Sequence, residues 1–195
     1  MTRKARNTKT QETLNKELAR YLRRAQRLCE ESANWGGNLP LRITYYLTAE
    51  TPPSVYVSSV RAIVFRGNEV LVVKQANGHV YILPGGRVEA GEGKEQTLRR
   101  EVVEETGWTL KDMRLLGCMH LHHLGPKPAG YAYPYPDFIW PVYLAEAGDF
   151  LPQAVQPDDW VAESCFLPVS EARGLPLRAG ELMLLEAALR LSTDH

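Results

Sequence analysis

The chain has 195 residues, of which 44% are apolar and 24% charged; that suits one folded domain of ordinary size with room for an added arm, and excludes a disordered chain. Lys plus Arg and Asp plus Glu balance at 23 each, so overall charge selects no partner class. No apolar run reaches the roughly 18 residues of a membrane span, and none follows the basic N-terminus, so neither a membrane partner nor a secretory signal is expected. Cys29, Cys118 and Cys165 are scattered and form no C-x-x-C pair, which points away from zinc and disulfides and towards a reducing cytoplasm.

In chain order, residues 1–9 are polar and expected to fray. From about Thr10 to Glu31, Leu14, Leu18, Tyr21, Leu22, Ala25, Leu28 and Cys29 recur at helical spacing and predict an amphipathic helix. Its stripe must be buried against the main domain or a second subunit, the latter implying a homodimer. Its other face is basic (Lys16, Arg20, Arg23, Arg24, Arg27), which reads as a solvated surface, with RNA or another polyanion as the alternative partner. Turn formers at 34–40 lead to a short strand at 41–47, and Thr51-Pro52-Pro53 closes this arm, so the division expected is 1–54 and 55–195. Tyr56–Phe65 and Glu69–Lys74, joined at Arg66-Gly67-Asn68, predict a β-hairpin; His79–Leu83 predicts a further strand, broken by Pro84-Gly85-Gly86. A helix is expected at 94–106 with Gly107 as its C-cap, strands at 113–123, 137–145 and 161–167, and a last helix from about Leu177 to Leu191. The order predicts an α/β (α+β) fold, an α/β/α sandwich around a mixed sheet with an extra N-terminal amphipathic helix.

The chemistry concentrates at residues 86–108. Gly85, Gly86, Gly91 and Gly93 make a loop whose backbone can approach a ligand closely. In the helix that follows, Glu101, Glu104 and Glu105 share one face. Like charges so placed repel by a few tenths of a kcal/mol per pair unless water, a cation or a metal offsets them. Carboxylate oxygens suit a hard cation, Mg²⁺ or Mn²⁺, which also binds phosphates. Arg100 can orient a carboxylate through a two-pronged hydrogen bond.

The whole string resembles the Nudix box, G-x5-E-x7-R-E-U-x-E-E-x-G-U with U a bulky apolar residue. Gly86, Glu92, Arg100, Glu101, Val102, Glu104, Glu105, Gly107 and Trp108 stand at its fixed positions; Trp108 is bulkier than the usual aliphatic. The hairpin, the Leu83-Pro84-Gly85-Gly86 turn and the last helix also resemble the family's layout, so the likeness spans about 55–192 and leaves out the first helix. The resemblance implies a Mg²⁺-dependent hydrolase that cleaves a pyrophosphate linkage in a nucleoside diphosphate derivative, such as a nucleotide sugar, ADP-ribose or an NTP. It implies metal ligation by Glu101, Glu104, Glu105 and the Gly86 carbonyl, with Glu104, Glu105 and Arg100 as the catalytic set. Glu92 would brace the loop–helix unit on the substrate side. The family often draws its general base from a loop outside the box, for which Glu146, Asp158, Asp159 and Glu163 are candidates here.

The His120–Trp140 segment is rich in His, Tyr and Pro. Tyr133 and Tyr135 are candidates to stack on a base and His122 to contact substrate, against the alternative of a Pro-stiffened loop covering the core. Adjacent His122 and His123 should point to opposite faces of a strand. Signatures of the NADH, coenzyme A and ADP-ribose subfamilies are not matched, Pro126 falling slightly late for the last, so the substrate stays open. Two other readings stand beside the hydrolase: a non-catalytic Nudix-fold nucleotide sensor, and an RNA 5′-end pyrophosphohydrolase served by the basic helix.

Overall fold

A computed structural model describes residues 15–131, 133–156 and 161–193. Helix α1 is described at 15–24; the part of the predicted helix from Thr10 to Leu14, and the polar stretch before it, lie outside the described residues. The helix does not run on to Glu31. Strand β1 (Gln26–Trp35) begins two residues later and pairs antiparallel with β2 (Leu39–Leu47). Leu28 and Cys29 fit a helical stripe, yet Gln26 to Trp35 find strand partners in β2, and tertiary pairing overrides local periodicity. Gly36 and Gly37, both at positive φ, turn the chain between the two strands.

The remaining elements follow the predicted order. They are β3 (Arg61–Arg66), β4 (Glu69–Gln75), β5 (Val80–Tyr81), α2 (Lys94–Thr106), β6 (Trp108–His123), β7 (Asp137–Phe150), β8 (Val161–Pro168), the short α3 (Val169–Ala172) and α4 (Ala179–Thr193). The strand expected from Tyr56 starts only at Arg61, because Ser54–Tyr56 form a 3-10 turn, and the strand expected at His79–Leu83 shrinks to Val80–Tyr81. The described strands form one mixed sheet in the order β1-β2-β6-β7-β3-β4-β5, with β8 on β4; among these strands only β3 and β7 pair parallel. The sheet therefore crosses the division expected at Val55. β2 pairs with β6 from Leu41↔His123 to Leu47↔Gly117, and Leu41, Ile43 and Tyr45 are buried in the common core.

Alternation along β3 and β7 separates two cores. Ile63, Phe65, Val142 and Leu144 pack with Leu184, Leu185 and Ala188 of α4. Ala62, Val64, Tyr143 and Ala145 pack with Leu98 and Val102 of α2. Leu18 and Tyr21 of α1 bury against Cys118 and Ile139, on the α2 side of the sheet. The expected three-layer sandwich is therefore present, and the stripe of α1 is buried within its own chain. The bulky Trp108 is accommodated between Phe150 and Phe166, with ring centroids 4.8 and 5.2 Å away. Among the described residues no helix is long and apolar enough to cross a membrane.

Candidate active site

Helix α2 ends at Gly107, whose φ of 76° lets its N–H reach the Val103 carbonyl at 2.8 Å; a left-handed glycine cap fixes the last turn and with it Glu104 and Glu105. At the other end the glycine loop folds back onto the helix. Arg100 donates to both oxygens of Glu92, at 2.9 and 3.0 Å, and the Thr97 hydroxyl donates to the same carboxylate at 2.8 Å. The Arg100 bonds chiefly hold the Glu92 carboxyl down at about 2, so it is ionised throughout the neutral range. Both of its oxygens are thus taken by the protein. Glu92 braces the loop on the helix, and its expected place on the substrate side is not where the structure puts its carboxylate.

The remaining Arg100 nitrogen, Nη1, lies 3.0 Å from Glu101 Oε1 and 3.0 Å from Glu104 Oε2. One guanidinium thereby holds three carboxylates within hydrogen-bond distance, through a planar donor fork that a lysine lacks. Glu101 is turned against Gly86, where any Cβ would land on its carboxylate. Burial raises the Glu101 carboxyl above its ordinary value, and Arg100 offsets part of that rise. Glu105 accepts the Gly85 N–H at 2.9 Å, which ties the helix face to the glycine turn. The Gly86 carbonyl accepts from Val60 N at 2.9 Å and retains a second lone pair.

Glu101, Glu105, Gly85 and Gly86 line one cleft of about 800 Å³, together with Arg61, Arg87, Trp35, Tyr81, Trp140, Arg178 and Glu181. That volume suits a small-molecule site. Trp140 is held between Trp35, stacked at 5.3 Å, and the Arg61 guanidinium, 4.5 Å from its ring centroid. Glu104 is not in the lining: Gln156 donates to its Oε1 at 3.0 Å, and it faces a separate surface hollow with Arg99 and Val155.

The His/Tyr/Pro segment divides. Tyr133 lines a side pocket of about 140 Å³ that shares Trp35, Arg87 and Trp140 with the cleft, and Arg87 lies 4.9 Å over its ring. Tyr135 instead stacks on His123 and donates its hydroxyl to the Gly125 carbonyl. His122 and His120 both bond Asp137 Oδ1, at 2.7 and 2.8 Å, on the sheet face opposite Met119 and Trp140. Burial alone would raise Asp137; these two bonds bring it below its ordinary value. Tyr135 and His122 therefore serve the fold rather than the cleft. Among the acids considered for a general base, Glu146 lines a hollow elsewhere and Glu163 is exposed on β8 opposite Lys74; Asp158 and Asp159 lie outside the described residues.

Oxygen donors from Glu101, Glu105 and the Gly86 carbonyl at one cleft wall fit a hard divalent cation. Mg²⁺ keeps several waters and takes one or two carboxylates plus substrate phosphates, so a closed cage is not required. Among the described residues no three acidic, histidine or cysteine side chains already converge as one. Arg61 and Arg87 add positive charge to the same wall. Composition did not single out Arg61, Trp35, Tyr45, Arg178 or Glu181. The available signals were an arginine leading the apolar run Ala62–Phe65 and an acid on the apolar side of the last helix.

A model of the NUDIX domain matches residues 55–188, and the chain belongs to the Nudix family. It is 30% identical over 150 residues to a NAD-capped RNA hydrolase, NudC, of Mannheimia succiniciproducens, covering 72% of this chain and 51% of that one. It is 40% identical over 62 residues to an ADP-ribose pyrophosphatase of Methanocaldococcus jannaschii, covering 30% of this chain and 37% of that one. The chain thus spans about half or less of the curated relatives it matches. Among solved structures, the Bacillus subtilis pyrophosphohydrolase BsRppH shares the fold, with a TM-score of 0.55 at 20% identity over 84% of this chain and 96% of that one.

Proposed function

We propose that this chain is a divalent-metal-dependent pyrophosphohydrolase acting on a nucleoside diphosphate derivative. The observation that carries this reading is the placement of Glu101, Glu105 and Gly86 on the wall of a cleft that also presents Arg61 and Arg87. The three oxygen-donor groups would hold Mg²⁺, or Mn²⁺. Bound there, the ion would offset charge on the phosphates and lower the pKa of coordinated water. The arginines would bind and orient the phosphates. Hydrolysis forms one water–phosphorus bond and breaks the bridging phosphorus–oxygen bond, while the water's proton passes to a carboxylate. Glu105 is the better placed of the two acids first considered for that step, since it lines the cleft and Glu104 faces a separate hollow. Arg100 positions the glutamates rather than meeting substrate.

The RNA 5′-end reading draws support from the name of the NudC relative. The basic face of α1 does not add to it, because α1 packs on the sheet face opposite Met119 and Trp140. A product screen over nucleotide sugars, ADP-ribose, dinucleoside polyphosphates, NTPs and capped RNA, in Mg²⁺ and in Mn²⁺, tests the proposal. Turnover of at least one compound, abolished by chelation, is expected. No turnover with any of them in either metal would refute the enzyme and leave the nucleotide-binding module.

A further inference from the structure

The cleft has a second polar wall, built from outside the box. Tyr45 of β2, Arg178 and Glu181 line it, with Glu31 of β1 behind them. The Tyr45 hydroxyl donates to Glu31 Oε1 at 2.5 Å, and Arg178 Nη1 approaches the same oxygen at 3.4 Å. The wall is closely fitted: a Cβ on Gly180 would land on the Tyr45 ring. Glu31, Tyr45 and the adjacent Trp35 all come from the β1–β2 hairpin, which lies before the stretch matched to the NUDIX domain.

Glu181 has a structural role, since its Oε2 accepts the Arg178 N–H at 3.1 Å, the glutamate half of a helix capping box. That role does not account for its surroundings. A capping glutamate ordinarily lies in water, whereas Glu181 is 4% exposed; it also accepts the Ile82 N–H, and a glutamine could make the cap without burying an ionisable group. Burial pushes its carboxyl up to about 7, so both a hydrogen-bond donor form and an acceptor form are at hand near neutrality.

Its distance from the box is bounded by the chain. The Ile82 N–H bonds Glu181 and the Gly85 N–H bonds Glu105, and three residues of extended chain span at most about 10 Å. The two carboxyls are therefore tied to one short run of chain along the cleft, and the aromatic side chains of Trp35 and Tyr81 line the same cleft.

We propose that Glu181, with Arg178 beside it, is the specificity-determining subsite for the substrate's nucleobase, taking its amino- or amide-bearing edge while Trp35 and Tyr81 take its flat face. This rests on the reading of the cleft as the site of a nucleoside diphosphate derivative. A carboxyl and a guanidinium side by side offer acceptors and donors together, as the polar edge of a base requires.

The test is calorimetric binding of AMP, GMP, CMP and UMP, in EDTA, to the full chain and to Glu181→Gln, whose cap is preserved. The wild type should favour one base at least tenfold, and Glu181→Gln should change that ratio tenfold or more. Arg178→Gln should move the ratio as well, and it carries the test should Glu181→Gln fail to fold by circular dichroism. Equal affinities, no binding by the wild type, or an unchanged ratio in the folded variants would each overturn the subsite. Turnover on the substrate panel, read in parallel, separates the two proposals. Base-selective binding without turnover sustains the subsite and refutes the hydrolase; turnover without base selectivity does the reverse.

Discussion

Replacing Glu181 with glutamine should stabilise the protein above neutral pH and change it little in acid. Its carboxyl is 4% exposed, and burial raises it from 4.5 to about 7, against the pull of the Arg178 and Ile82 amides and the Arg178 guanidinium; Glu31 adds to the rise. Between those two values the folded chain binds more protons at this position than the unfolded chain, so stability falls as pH rises through that window. The difference between 4.5 and about 7, at about 1.4 kcal/mol per pH unit, comes to about 3 kcal/mol. Glutamine keeps the cap and does not ionise. Its advantage over the wild type should therefore grow from near zero at pH 4 to about 3 kcal/mol at pH 9, or roughly 6–12 °C in Tm for a domain of this size. Urea unfolding followed by circular dichroism at both pH values measures it, and titrating groups that do not interact with Glu181 cancel in the comparison. An advantage that does not change with pH would refute the raised carboxyl.

The remaining predictions address the box and the hairpin. Glu105→Gln should lower kcat at least tenfold, and Glu104→Gln by less, because Arg100 and Gln156 already engage the Glu104 oxygens; wild-type rates in both would remove the pair from the mechanism. Gly86→Ala should lose at least tenfold in kcat while staying folded, since its methyl would meet the Glu101 carboxylate; full activity would show that this close approach is not needed. Leu98→Ala, at a fully buried position of α2, should cost about 2–5 kcal/mol, read by chemical denaturation, and a cost below 1 kcal/mol would contradict the packing of α2. Deleting residues 1–33 removes the buried Leu18 and Tyr21 and most of β1, so Tm should fall and turnover with it; an unchanged Tm would make the segment peripheral.

The sequence by itself determined the element most constrained locally. A glycine loop, a helix with glutamates at i, i+3 and i+4, and a glycine stop are all set within 23 residues, by backbone freedom, helical period and the left-handed cap; the helix stands at Lys94–Thr106 with Gly107 at its end. The β3–β4 hairpin was legible for the same local reason. What only the tertiary structure decided is the company those glutamates keep. Helical spacing did not distinguish Glu104 from Glu105; packing does, because Gln156, brought in from beyond β7, engages Glu104, while Glu105 lines the cleft. Helical periodicity also carried the first helix past residue 24, where pairing with β2 makes a strand and adds Trp35 and Tyr45 to the cleft. His122 and Tyr135 have the chemistry of substrate contacts, yet strand register turns the first to Asp137 and ring packing sets the second on His123. Spacing along a helix is a local quantity. Which face of a sheet a side chain meets, and what stands across a cleft from it, depends on contacts between residues distant in the chain.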